Sequence, residues 1–150
     1  MHFTLALFVT VIQWMTSLVP NGDHSALAWA VASQSRSVSE AALVTAVAFR
    51  ESSLSNEAVG DNGSSFCAMQ IHKSSGGNST LLESPEECIA KGLMMLRESV
   101  RIDRKNPVAF YARGPNWQSA KAKGISRDRV AIATRLLRGE KNGEQGSTSR

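Results

Sequence analysis

One stretch constrains this chain more than any other. From Glu40 to about Leu54 the residues are apolar on nearly every face of a helix: Ala41, Ala42, Leu43, Val44, Ala46, Val47, Ala48 and Phe49. A helix without a polar face is normally buried in the centre of a domain. Ser37-Val-Ser-Glu40 announces its start with a capping-box pattern. The rest of the chain must therefore supply a shell around this segment.

Its end carries an oddity. Glu51 lies in the last turn, whereas a carboxylate is normally stabilised at a helix N-terminus. Desolvation and the negative helix end both favour the protonated acid. A carboxylic acid kept protonated near neutral pH is what glycosidic cleavage needs, because the leaving oxygen must receive a proton. The plainer alternative is a solvated helix end, with Glu51 paired to Arg50 or a remote Lys.

The shell reads as helical too. A length of 150 residues fits one domain, and few aromatics leave Ala, Leu, Val and Met to fill the core. His24 to Ser35 forms a short helix with Leu27, Trp29, Ala30 and Val31 on its apolar side. Residues 55–65 are loop, Phe66 to His72 a turn or strand, and Lys73 to Thr80 a flexible loop. Ser84-Pro-Glu-Glu87 starts a helix to about Asp103, with Ile89, Leu93, Met94, Leu96 and Val100 as its stripe. Asn106-Pro107 opens a short helix that Gly114-Pro115 ends. Ser126 caps a last one, with Val130, Ile132, Ala133, Leu136 and Leu137 inward and Gly139 as its stop. Residues 140–150 form a polar, disordered tail.

The N-terminus has two readings. Leu5 to Ile12 is a signal-type apolar region followed by Pro20, Asn21 and Gly22, which makes residues 1–23 a leader of an exported protein. Alternatively residues 3–19 are a helix of the domain or an uncleaved anchor; the stretch is short for a membrane span. Cys67 and Cys88 are spaced neither as a redox pair nor as a zinc half-site. In a secreted chain they would form a disulfide, and in a cytosolic one they would be two small core residues.

Charge is divided unevenly. Residues 1–90 carry 3 basic and 8 acidic side chains, a net of −5, and residues 91–150 carry 14 basic and 5 acidic, a net of +9. A basic second half suits a polyanion, or is simply a solvated face. No nucleic-acid motif accompanies it, so nucleic acid is not expected as a partner. No nucleotide loop, zinc pattern or cofactor signature is visible, and the three histidines stand far apart at 2, 24 and 72. Neither a metal nor a cofactor is expected.

Three segments agree with one family. Ala46-Val-Ala-Phe-Arg-Glu51-Ser52-Ser53, then Gly60-Asp61 and Ala68-Met-Gln70-Ile-His72, resemble the catalytic region of the soluble lytic transglycosylases and goose-type lysozymes. Members show a helix ending in Glu-Ser, a turn-rich loop, and Gly-Leu-Met-Gln-Ile. Ala109-Phe-Tyr111-Ala-Arg-Gly114-Pro115 looks like the family's Ala-x-Tyr-Asn-x-Gly-Pro, and Ser84-Pro-Glu-Glu-Cys88-Ile like the helix between them. The resemblance spans roughly residues 24–138 in matching order and spacing.

The resemblance implies a mainly α, lysozyme-like domain over residues 24–139, a monomer with a groove for peptidoglycan glycan strands. Glu51 maps onto the general acid/base, Ser52 onto its orienting neighbour, Gln70 onto a groove-lining glutamine and Tyr111 onto a tyrosine contacting acid or substrate. Departures are Ala112, where the family usually has Asn, and Cys67-Ala68 in place of Gly-Leu. Cys88 is likewise a family non-cysteine position, and the loop and helix carrying the pair approach in this family. That supports a disulfide and export.

Two mechanisms compete. A lytic transglycosylase uses one carboxyl as acid and then base, while the substrate's N-acetyl group and 6-hydroxyl complete an anhydro-muramyl product. A muramidase needs a second acid roughly 6.5–9.5 Å away to activate water. Asp61 is the nearby candidate, although Gly-Asp-Asn-Gly also reads as a turn. The lyase is the first expectation. A non-catalytic glycan-binding module, anchored through anionic wall polymers by its basic half, is the reading from another class. Wall remodelling, assembly of a secretion or conjugation apparatus, and phage-derived lysis would all use such a domain.

Overall fold

A computed structural model describes residues 2–139, so the expected tail at 140–150 lies outside the described residues. The chain is mainly helical, as expected. Helix α1 (His2–Leu18) leads into α2 (Ser25–Gln34) and the central α3 (Val38–Ser52). Three two-residue strands follow, β1 (Val59–Gly60), β2 (Ser65–Phe66) and β3 (Ile71–His72), paired antiparallel in that order. Val59 lies opposite Phe66, and Phe66 opposite Ile71. Then come α4 (Pro85–Ile102), α5 (Ala109–Arg113) and α6 (Ala120–Leu137).

Helix α3 is central because its sequence leaves it nowhere else to go. Seven of its residues, from Ala41 to Ala48, are buried, and α1, α2, α4 and α6 pack around it. Small alanines let these neighbours approach closely. Ser37 caps it by accepting the Glu40 N–H at 3.1 Å. The reciprocal half of the capping box is displaced, since the Glu40 carboxylate accepts the Arg36 N–H and grips Arg97 of α4 at 2.7 and 2.9 Å.

Helix α1 is part of the core. Leu7, Val11, Trp14 and Met15 are buried, while Phe3, Leu5 and Val9 face outward. Phe8 meets Trp29 of α2 edge to face, with ring centroids 5.5 Å apart. Among the described residues, no helix is long and apolar enough to cross a membrane.

Several sequence expectations need correction. The last helix begins at Ala120, capped by Ser119. Ser126 is not its cap: it is buried inside α6, and its hydroxyl accepts the Val108 N–H at 3.0 Å, tying α6 to the start of α5. A serine hydroxyl can cap a distant backbone group as well as its own. Trp29, Met94 and Leu137 were expected inward and are exposed, Met94 by 61%. The segment from Lys73 to Thr80, expected as a flexible loop, holds one 3-10 turn, Lys73–Ser75, and the start of a second, Ser79–Leu82.

Candidate active site

The segment between α3 and α4 is held in demanding geometry. Helix α3 ends in two left-handed residues, Ser53 and Leu54, whose N–H groups meet the Phe49 and Ala48 carbonyls. Asp61, Asn62, Cys67 and Gln70 also have positive φ, so the six non-glycine cases among the described residues all fall within positions 53–70. Such conformations persist where the surroundings over-determine them, and they cluster at working sites.

Those surroundings are identifiable. Cys67 is disulfide-bonded to Cys88 of α4, and Met69 lies against Gly92 one turn along the same helix. A β-carbon at Gly92 would sit 2.7 Å from Met69 Cγ. Tyr111 donates its hydroxyl to the Met69 carbonyl at 2.6 Å, and Asn56 reaches the Leu81 and Leu82 carbonyls at 2.9 and 3.0 Å. Cys67, Ala68, Met69 and Ile71 are fully buried, leaving Gln70 to project.

Glu51, Asp61, Gln70 and Tyr111 line one cavity of about 460 Å³, together with Gly60, Ser65, His72, Ser75, Met95 and Ala112. Four residues from separate segments of the sequence are thus brought together. Ser52 is not in the lining. Its hydroxyl donates to the Ala48 carbonyl at 3.0 Å and accepts the Ser55 N–H at 3.2 Å, which makes it a helix-end residue here.

Each lining group has a definable state. Burial pushes the Glu51 carboxyl above the usual carboxylate range, and the Asp61 charge adds to this. Arg129 of α6 opposes it, with its guanidinium 3.5 Å from Glu51 Oε1. Burial also raises the Tyr111 phenol, with the Glu51 charge adding, so Tyr111 is a neutral donor. Asp61 accepts the Ser65 hydroxyl. Gln70 donates to the Ala58 and Cys67 carbonyls at 3.1 and 3.0 Å, and its amide oxygen presses on Gly60, where a β-carbon would collide with it. Ala112 forms part of the cavity wall and offers it only a methyl group.

A second cavity of about 620 Å³ shares Ser75, Met95 and Tyr111 with the first. It adds Met94, Phe110 and Pro115, so the polar pocket continues into an apolar one. The exposure of Met94 belongs to this groove. Among the described residues, no three His, Cys, Asp or Glu side chains gather closely enough to hold a metal ion.

Sequence reasoning missed Arg129 and His72 as site residues. His72 directly follows the Met-Gln-Ile segment and lines the cavity, with Nδ1 engaged by Ser74. Arg129 stands 78 residues from Glu51, and nothing local marks it out from Arg127. No protein-family model, no curated protein and no solved structure matches the chain.

Proposed function

We propose that this chain is an exported lytic transglycosylase of lysozyme-like fold, cleaving the β-1,4 bond between MurNAc and GlcNAc in peptidoglycan. The observation carrying this is Glu51: an acid raised by burial, at the end of the central helix, opening onto a groove. Its proton passes to the glycosidic oxygen as the bond to the muramyl C1 breaks. The substrate's own acetamido oxygen closes on C1. The Glu51 carboxylate then takes the proton of the 6-hydroxyl, whose oxygen displaces the acetamido oxygen and leaves an anhydro-muramyl end. One carboxyl suffices for both steps.

The two adjoining cavities support a polymeric substrate. Sugar rings offer apolar faces to Met95 and Phe110 and hydroxyls to the polar half. The Cys67–Cys88 disulfide supports export, since such bonds persist in oxidising compartments. The excess of basic side chains after residue 90 suits anionic wall polymers as additional partners. Hydrolysis is the second reading, favoured by one observation: Asp61 lines the same cavity as Glu51.

Mass spectrometry of digested glycan strands tests this directly. Anhydro ends are expected, and reducing ends would transfer the assignment to a muramidase using Asp61. Glu51→Gln is expected to lower turnover by about 10²–10⁴-fold, the usual contribution of a general acid. Unchanged cleavage by that variant, or wall binding without cleavage by the wild type, would overturn the enzymatic reading.

A further inference from the structure

Four charged side chains run in alternating sign from the surface to the site. Arg50 pairs with Asp128 at 2.9 Å, Asp128 with Arg129 at 2.8 Å, and Arg129 with Glu51 at 3.5 Å. The two contacts to Asp128 are short and the one to Glu51 is long. Arg129 is only 16% exposed, and its buried Nε–H has no acceptor among the described residues. Its guanidinium is therefore held by Asp128 with donor capacity to spare, facing a carboxyl that burial pushes above the usual carboxylate range.

We infer that Asp128 and Arg129 are positioning residues for Glu51: the guanidinium receives the carboxylate formed when Glu51 gives up its proton, and Asp128 restrains it from pairing with that carboxylate sooner. The catalytic meaning of this rests on the glycosidase reading above; the electrostatic coupling does not. With Glu51 protonated the row has a net charge of +1, and with Glu51 ionised it is neutral. Donating the proton thus completes a charge balance inside the fold, where opposite charges within a few ångströms strongly favour the ionised state.

The other groups facing Glu51 do not supply this. Asp61, from the turn between β1 and β2, is negative and opposes ionisation. Tyr111 of α5 donates its hydroxyl hydrogen bond to the Met69 carbonyl, Met95 of α4 is apolar, and His72 lines the cavity with Nδ1 engaged by Ser74. Asp128 itself is ionised: burial works against its charge, but the hydrogen bonds from Arg50 and Arg129 outweigh it.

The test is a pair of variants that move in opposite directions. Cleavage of peptidoglycan is measured against pH for wild type, R129M, R129K and D128N. The Glu51 carboxyl is titrated in the same proteins by carbon-13 NMR, with its signal identified by loss in E51Q. Removing the guanidinium should move the alkaline limb and the NMR midpoint to higher pH. Removing Asp128 frees the guanidinium for Glu51 and should move both to lower pH, while R129K stays near wild type. A merely structural role would lower activity without displacing the two midpoints to opposite sides. Midpoints that move together, or not at all, overturn the inference. If no variant cleaves glycan but the NMR midpoints still diverge, the coupling holds and the glycosidase reading fails. If R129M does not fold, D128N decides alone: a lower midpoint supports the coupling, and an unmoved or higher one refutes it.

Discussion

Removing residues 1–22 should abolish cooperative folding. Helix α1 buries Leu7, Val11, Trp14 and Met15 against α2 and α3. At about 1.5–3 kcal/mol for each fully buried large side chain, that face represents about 6–12 kcal/mol as an upper bound. Truncation also spares the entropy of ordering α1, which offsets much of the helix's own gain. It does not spare the facing surface of α2 and α3, which becomes wet over a comparable apolar area. A loss of that order approaches the whole stability of a domain, about 5–15 kcal/mol. Urea unfolding followed by far-ultraviolet circular dichroism should show a clear transition for the full chain. For a chain beginning at Asp23 it should show none, or one at far lower denaturant. If export removes these residues, the mature domain must cover α2 and α3 by other means, so the intact mass of the native protein belongs with the melt. A native chain lacking α1 that unfolds at the full-length midpoint would refute the packing argument.

Two further outcomes follow from specific contacts. Replacing Cys67 and Cys88 together by alanine should cost about 3 kcal/mol, the chain entropy released by opening a loop of 21 residues, read as a lower urea midpoint with a steeper slope. Glu40 is held below the usual glutamate range by its hydrogen bonds with Arg97, which outweigh burial, aided by the Arg36 N–H. Its stabilising contribution is thus fully present above the ordinary value of 4.5 and is lost as pH falls through the lower folded value. Glu40→Gln should destabilise by about 1–2 kcal/mol at neutral pH, the order expected for a charged hydrogen-bonded pair. That difference should shrink in acid, and urea midpoints that differ equally at pH 7 and pH 3 would contradict it.

What the sequence revealed and what it hid divide along physical lines. Ser37 and Ser84 were legible as helix starts because a cap is read from three neighbouring residues. Ser126 looked the same and was not a cap, because its partner is Val108, 18 residues earlier. The burial of α3 followed from its composition alone. The faces of α2 and α4 did not, since both helices place an apolar side chain outward: Trp29 beside Phe8, and Met94 in the groove. Glu51 stood out by its misplaced charge, whereas Arg129 was one arginine among several until the fold brought it to Glu51. Strands of two residues leave no alternation to detect.

The two attachments of residues 67–71 to α4, at Cys88 and Gly92, have a consequence in time as well as in space. Loops ordinarily open faster than the helices beside them, because few buried contacts restrain them. This one is tied to two successive turns of a helix that itself grips α3 through Arg97 and Glu40. Its amides should therefore exchange with solvent on the schedule of α4, as part of one cooperative unit. Gln70 and the Met69 carbonyl then keep their places for as long as that helix stays closed. The groove beside Glu51 has a wall that opens no sooner than the core does.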